Sequence, residues 1–193
     1  LRAGGVLDRA LSAWAGFALS IPVFVVGTLA VLVLAQELRL VPAGGYVPFA
    51  RDPARHLTLL AMPACTIAVG LGAVVFRVMR SSVLEVLERD HVRAAQARGV
   101  APGAIVRRHV VRNALTPVVT VVALHLGSLL GGTVLVEFVF NWPGLSGYLV
   151  RSVESRDYPE VMGIVLVIST LFVLLNFVVD LLYAVIDPRV RHG

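Results

Sequence analysis

Four long apolar stretches divide this chain, and polar segments separate them. The stretches cover about residues 10–35, 57–76, 114–136 and 161–186. An α-helix rises about 1.5 Å per residue, so each stretch is long enough to cross roughly 30 Å of hydrocarbon. The pattern therefore predicts an all-α integral membrane protein, with four transmembrane helices in a single transmembrane domain over residues 1–193.

Turn and capping residues indicate where these helices begin and break. Pro22 interrupts the first span, which a membrane helix tolerates when neighbouring groups satisfy the freed carbonyl. Asp52 followed by Pro53 predicts a helix start. The carboxylate can cap free N–H groups of the first turn, and proline has no N–H group that would need an acceptor there. Ser82 and Glu85 have the spacing of a capping box, which predicts that a separate short helix begins there.

The composition agrees with a membrane protein and narrows its chemistry. Hydrophobic residues make up 58% of the chain and charged residues 15%, with a mean hydropathy of +0.85, whereas soluble domains are about one quarter charged. All 17 basic residues are arginines, which excludes a P-loop lysine and a Schiff-base lysine. The single cysteine, Cys65, cannot form an intrachain disulfide. With no metal-ligand spacing, phosphate loop or nucleophile elbow, we expect no catalytic residue, metal or cofactor on this chain.

The arginines are distributed unevenly between the polar segments. If the segment between the second and third spans is cytoplasmic, twelve arginines lie inside and five outside. The five outside are Arg39, Arg51, Arg55, Arg151 and Arg156. Because cytoplasmic segments carry the excess of basic residues, this count predicts that the segment and both termini face the cytoplasm.

That cytoplasmic segment, at about residues 77–113, is the candidate functional site. A short helix with small residues at Ala94 and Ala95 ends at Gly99, which can take the left-handed conformation that terminates helices. A second helix starts at Pro102 and leads directly into the third span. A short helix joined rigidly to a span can convert a force on the loop into a tilt of that span. The alternative interpretation is a solvated connector, which is what charged loops in general are.

Small or polar residues in and beside the spans form a second set of candidates. Gly127 and Gly131 are four apart, so another helix backbone can approach closely at that stripe. Asn176 and Asp180 are also four apart and share a helix face, and Glu137 closes the third span. For each, packing or hydrogen bonding within the bundle is one interpretation, and a gate or pathway role is the other.

Basic residues precede the third span, and a turn follows it. We expect Arg107, Arg108 and Arg112 to meet lipid phosphates at the start of the span. After the span, residues 141–144 predict a sharp turn. A short amphipathic helix is expected next, at about residues 145–153.

Several ordered motifs resemble a known family of membrane transporters. They are the segments at residues 90–99, 109–117, 137–145, 156–159 and 176–189. These motifs are spread over nearly the whole chain and resemble permease subunits of type I, binding-protein-dependent ABC importers. More narrowly, they are similar to the first permease subunit of dipeptide, oligopeptide and nickel transporters.

The resemblance implies partners and a location. Such a permease lies in the bacterial or archaeal cell (inner) membrane as a multi-pass protein, and it encloses a translocation path with a second permease subunit. It receives its ligand, expected here to be a peptide, from an extracytoplasmic substrate-binding protein, and two ATP-binding subunits drive it. ATP and magnesium would bind to the partner ATPase, and no nucleic acid is involved.

The resemblance also identifies the short cytoplasmic helix as the coupling helix that docks on an ATPase. Its docking candidates are Arg89, Asp90, Arg93, Ala94, Ala95, Arg98 and Gly99. Arg93 stands where the wider family's motif has a glutamate, which removes an acidic contact and leaves the docking role in place. Permeases of this branch usually have six spans, so the resemblance implies that two N-terminal spans are missing from this chain.

The residues alone leave other function classes open. An ATP-independent membrane channel or scaffold protein would use the same loop to bind lipid or an unrelated protein. An intramembrane enzyme is disfavoured, because no Ser/His pair, aspartate pair or metal cluster lies at matching depth in the spans. The ligand also stays open, since peptides, nickel chelates, glutathione and sugars are carried by similar permeases.

Overall fold

Helices form almost all of the regular structure in the computed structural model. It describes the backbone of residues 4–186, and the side chains in that range except those at positions 108, 109, 128, 130–132, 179, 180 and 182–186. The helices are α1 (Val6–Ser20), α2 (Val23–Ala30), α3 (Pro53–Glu88), α4 (Asp90–Ala97), α5 (Pro102–Ile105), α6 (Val111–Gly132), α7 (Val134–Val139), α8 (Leu145–Glu154) and α9 (Tyr158–Ile186). Wider π-helical turns extend α2 over Val31–Glu37 and join α5 to α6 over Val106–Val110. No strand occurs within residues 4–186, and the predicted all-α fold is confirmed.

The first predicted span is a broken helix. α1 ends at Ser20, and α2 with its π-helical extension leaves at an angle of 101°. Ile21 is extended, with φ −104° and ψ 130°, as the steric demand of the following Pro22 requires. The proline therefore separates two helices instead of being accommodated within one.

The second predicted span belongs to a much longer helix. α3 has 36 residues and begins as expected, with the Asp52 Oδ1 atom accepting a hydrogen bond from the Arg55 N–H at 2.9 Å. The prediction of a separate helix at Ser82 is wrong, because α3 continues through this residue to Glu88. Ser82 is buried, and the next turn carries Val86 into a hydrophobic core, so packing extends the helix past the capping pattern.

The third predicted span is also interrupted. α6 ends at Gly132, and Thr133 separates it from the short helix α7, which contains Glu137. Consecutive glycines have low helix propensity, which accounts for the break. Two helices are long and apolar enough to cross a membrane, namely α3 and the Tyr158–Val178 part of α9. The bent α1–α2 pair would add a third crossing if it forms one span. The apolar part of α6, Val111–Gly127, is shorter.

α3 is the central element of the packing. It contacts α1, α2 and α6 along its length, and α9 packs against α6 and α8. One hydrophobic cluster joins α1 to α3, and another joins the α2 region to Phe140. A third lies at the far end of α3 and positions the candidate coupling helix.

Candidate functional site

The short helix α4 is held by a small hydrophobic core beneath it. Val92 and Ala95, on its inner face, are almost completely buried. They pack with Val86 of α3 and with Ile105 and Val110 of the segment that follows. An isolated helix of eight residues would not be stable in water, so this apolar contact is what holds α4 on the end of α3.

Gly99 ends α4 in the predicted way. Its φ of +75° is a conformation that residues with a Cβ rarely adopt. The Gly99 N–H donates to the Gln96 carbonyl at 2.9 Å, and the Val100 N–H donates to the Ala95 carbonyl at 3.2 Å. A Cβ at Gly99 would meet open space, so backbone conformation, and not lack of room, favours glycine here.

The outer face of α4 carries the exposed members of the predicted docking set. They are Arg89, Asp90, Arg93, Ala94, Arg98 and Gly99. Arg89 pairs with Glu85 at 2.7 Å, whereas Arg93 has no ion pair within the described part of the chain. Ala95 is the exception, because it is only 2% exposed. Its predicted docking contact is therefore replaced by a packing role under the helix.

A continuous helical path connects the core under α4 to α6. α5 begins at Pro102, a favourable first helical residue. The π-helical turn then leads into α6 without a break, and α6 packs against α3. Val110 lies in the core under α4 and directly precedes α6. A displacement of α4 would therefore reach α6 through packed side chains and helical backbone.

Glu137 ties three segments together beyond the opposite end of α6. Its Oε1 atom accepts a hydrogen bond from the Thr133 hydroxyl at 3.0 Å, and its Oε2 atom accepts one from the Gly147 N–H at 2.7 Å. Gly147 lies in the first turn of α8, where the helix dipole favours a negative charge. The Thr133 hydroxyl is also 3.3 Å from that of Ser146. These contacts favour the packing interpretation of Glu137 over a gate.

The other predicted packing or gate residues are only partly described. A Cβ at Gly127 would come within 2.6 Å of the Phe172 ring, so this glycine lets α9 lie close to α6. The Asn176 side chain donates to the Phe172 carbonyl at 2.9 Å, which is a bond within its own helix. The surroundings of Gly131 and the side chain of Asp180 lie outside the described residues.

A second carboxylate holds α8, and the sequence pattern did not single it out. Glu160 of α9 accepts hydrogen bonds from the Tyr148 hydroxyl and, at 2.8 Å, from the Ser152 hydroxyl. The bond to this carboxylate raises the pKa of Tyr148, because it stabilises the neutral phenol. The spacing of Tyr148 and Ser152 by one helical turn, shortly before Glu160, is the signal that could have indicated this contact.

An ion pair between α1 and α3 was also not predicted. The Arg80 guanidinium donates from Nε to Asp8 Oδ1 at 2.7 Å and from Nη2 to Asp8 Oδ2 at 2.9 Å. Asp8 also accepts the Gly4 N–H at 2.8 Å. Seventy-two positions separate the two charged residues, and a single sequence carries no signal for a pairing over that separation.

A turn lies at residues 140–141, at the start of the range 141–144 predicted from the sequence, and it anchors the loop that precedes α3. Asn141 has a φ of +49°. The Gly45 N–H donates to the Phe140 carbonyl at 2.8 Å. The Tyr46 and Trp142 rings meet edge to face at 5.2 Å. The amphipathic helix expected after this turn is α8, and that prediction is confirmed.

These arrangements can act mechanically. Among the described residues, no group of three or more His, Cys, Asp or Glu side chains could hold a metal ion. α4 has an exposed basic outer face, a buried inner face and a helical connection to α6.

The chain matches known proteins over almost its whole length. The family model of binding-protein-dependent transport system inner membrane components matches residues 1–192. A probable peptide ABC transporter permease of Sinorhizobium fredii is 39% identical, over 99% of this chain and 61% of the relative. A putative peptide permease of Brucella suis is 41% identical, over 99% and 60%, and a glutathione transport system permease of Escherichia coli is 42% identical, over 96% and 58%.

The extent of these matches confirms the resemblance found in the sequence motifs. The chain spans about three fifths of the length of the curated relatives it matches. The family comprises inner membrane components of transport systems, which is a transport class and not an enzyme class. The chain belongs to the family of binding-protein-dependent transport system inner membrane components.

Proposed function

We propose that this chain is the core of a permease subunit in an ATP-driven, binding-protein-dependent importer of peptides. It forms the translocation path with a second permease and receives its ligand from an extracytoplasmic substrate-binding protein. Two separate ATP-binding subunits hold ATP and magnesium, so this chain carries no cofactor. The relatives support the ligand class, because two are named as peptide permeases and the third as a permease for glutathione, itself a small peptide.

The observation that carries this proposal is the way α4 is mounted. Its inner face is fixed by Val92 and Ala95, while its outer face is exposed and basic. A helix mounted in this way can receive force from a soluble partner without separating from the membrane helices. In the proposed complex, α4 docks on an ATPase, and closure of the ATPases on ATP moves α6 through the segment at residues 102–110.

The proposed orientation places α4 and both termini in the cytoplasm. It rests on the excess of arginines in the segments that would be inside. α4 lies at one end of α3, and Asp52, which caps the other end, belongs to the loop proposed to face outward. The segment containing α8 then lies on the outer side, where a substrate-binding protein would approach.

Substitution of Gly99 tests the docking proposal. Valine at a φ of +75° would be strained by about 1–3 kcal/mol, so we expect the end of α4 to change conformation. The variant should insert normally into the membrane but lose transport and stimulation of ATP hydrolysis by ligand. Transport assays and ATPase assays on the reconstituted full-length complex measure both activities.

Gly103→Ala is the matched control for this experiment. Gly103 lies in the same connecting segment, has open space for a Cβ and does not need a positive φ. We expect it to couple normally. Normal coupling in Gly99→Val would contradict the proposed role, and a protein that purifies without ATPase subunits and conducts without ATP would support a channel instead.

A further inference from the structure

A cavity of about 420 Å³ opens between α1 and α3 near the Asp8–Arg80 ion pair. Its polar lining consists of Ser12 of α1 and of Arg77, Arg80 and Ser81 of α3. Phe76 forms an apolar wall, and Gly16 leaves the facing surface of α1 without a side chain. The cavity therefore has one charged, hydrogen-bonding part and one apolar part.

The charge in this cavity is not balanced by the groups around it. Asp8 neutralises Arg80 through two hydrogen bonds, which leaves other N–H donors of the guanidinium unused. Arg77 lies three residues away on the same helix face and has no ion pair within the described part of the chain. The local net charge is thus about one positive unit, which matches a monoanion.

The hydroxyl groups of the cavity are also available. Neither Ser12 nor Ser81 has a hydrogen-bond partner among the described residues. Together with the guanidinium of Arg77, they provide several donors within one small space. Arginine forks and hydroxyls are the groups that bind phosphate oxygens in proteins.

The position of the cavity along the helices indicates where such a phosphate would come from. The apolar stretch of α3 ends at Phe76, and that of α1 begins at Ala10, directly after Asp8 and Arg9. The Asp8–Arg80 bond of 2.7 Å fixes these two boundaries at the same level. The boundary between hydrocarbon and charge is where lipid phosphates lie, and basic pockets between membrane helices bind lipid headgroups on the cytoplasmic side.

We propose that this cavity binds the phosphodiester headgroup of an anionic phospholipid. The phosphate accepts hydrogen bonds from Arg77, from the free donors of Arg80 and from Ser81, while an acyl chain lies along Phe76 and the gap at Gly16. The bound lipid fills the cavity between α1 and α3 and adds to the contact that the Asp8–Arg80 ion pair makes between the two helices. This site does not depend on the identity of the transported ligand or on docking of an ATPase.

Lipid titration of the delipidated full-length protein in detergent, followed by native mass spectrometry, tests this site. The probes are short-chain phosphatidylglycerol, which is anionic, and phosphatidylcholine with the same chains. We expect selective binding of phosphatidylglycerol, reduced about fivefold by Arg77→Gln. Ser81→Asp is the second variant, because its negative charge would repel the phosphate, and it should weaken binding at least as much.

Arg93→Gln is the matched control, since Arg93 is exposed on α4, outside the cavity. Its affinity for phosphatidylglycerol should equal that of the unsubstituted protein. Unchanged binding in Arg77→Gln and Ser81→Asp would overturn the site. Equal binding of phosphatidylcholine would overturn its anion selectivity, and displacement of the lipid by excess inorganic phosphate would show a free-phosphate site instead of a lipid site.

Discussion

Two glutamates determine how α8 is held, and both act by accepting hydrogen bonds from that helix or its neighbours. Glu137 binds the first turn through the Gly147 N–H, and Glu160 binds the Ser152 hydroxyl on the third turn. Gly144 leaves space for the carboxyl group of Glu137, since a Cβ at position 144 would collide with that group. The conformation of the segment containing α8 thus depends on one missing side chain and two carboxylates.

Gly144→Ala tests this arrangement directly. The added methyl group must displace the Glu137 carboxylate, so we expect a loss of about 1–3 kcal/mol in the free energy of unfolding. Thermal unfolding of the detergent-solubilised protein measures the loss. Gly163→Ala, at a helical position with open space for a Cβ, should be neutral or slightly stabilising, and an equal loss in both variants would contradict the role of Gly144.

At the scale of the single element, α4 shows what a sequence pattern can and cannot predict. Its end at Gly99 was predictable because a glycine after a run of helix-forming residues is a local signal. Which face of the helix is buried was not, because Ala94 and Ala95 have the same side chain and differ only in what lies beneath them. The capping pattern at Ser82 failed for a related reason, since the core under α4 keeps α3 helical past that point.

Leucine substitution at these two neighbouring alanines separates docking from packing. Ala95 is 2% exposed, so Ala95→Leu should overpack the core and reduce stability by about 1–3 kcal/mol. Ala94 is exposed, so Ala94→Leu should leave stability unchanged and reduce ligand-stimulated ATP hydrolysis. Thermal unfolding and ATPase assays on the same preparations measure both effects. If Ala94→Leu loses stability and keeps normal coupling, Ala94 is on the packing face of α4 and not on the docking face.

At the scale of the whole molecule, the sequence predicted the helical class and the order of the apolar segments, because hydrophobic runs and turn residues are local properties. It did not predict the 101° bend between α1 and α2 or the Asp8–Arg80 bond. Both depend on how distant segments pack around α3. In the candidate site, the short helix that ends at Gly99 was predictable, whereas the face that it buries is visible only in the structure.

The helices α4 and α8 are the two surfaces that we propose to face different partners. α4 and α8 are mounted differently, α4 on an apolar core and α8 on hydrogen-bonded carboxylates. We propose that α4 docks on an ATPase in the cytoplasm, whereas α8 lies on the opposite side of the membrane. A photocrosslinking residue at position 94 and another at position 153, both exposed, can report these surroundings in intact cells.

Mass spectrometry of the crosslinked products from cells expressing the full-length protein is the most direct test. We expect position 94 to capture a protein that contains the P-loop pattern G-x-x-x-x-G-K-[S/T], and position 153 not to capture it. Capture of that protein from position 153, or its absence from the products of position 94, would contradict the account.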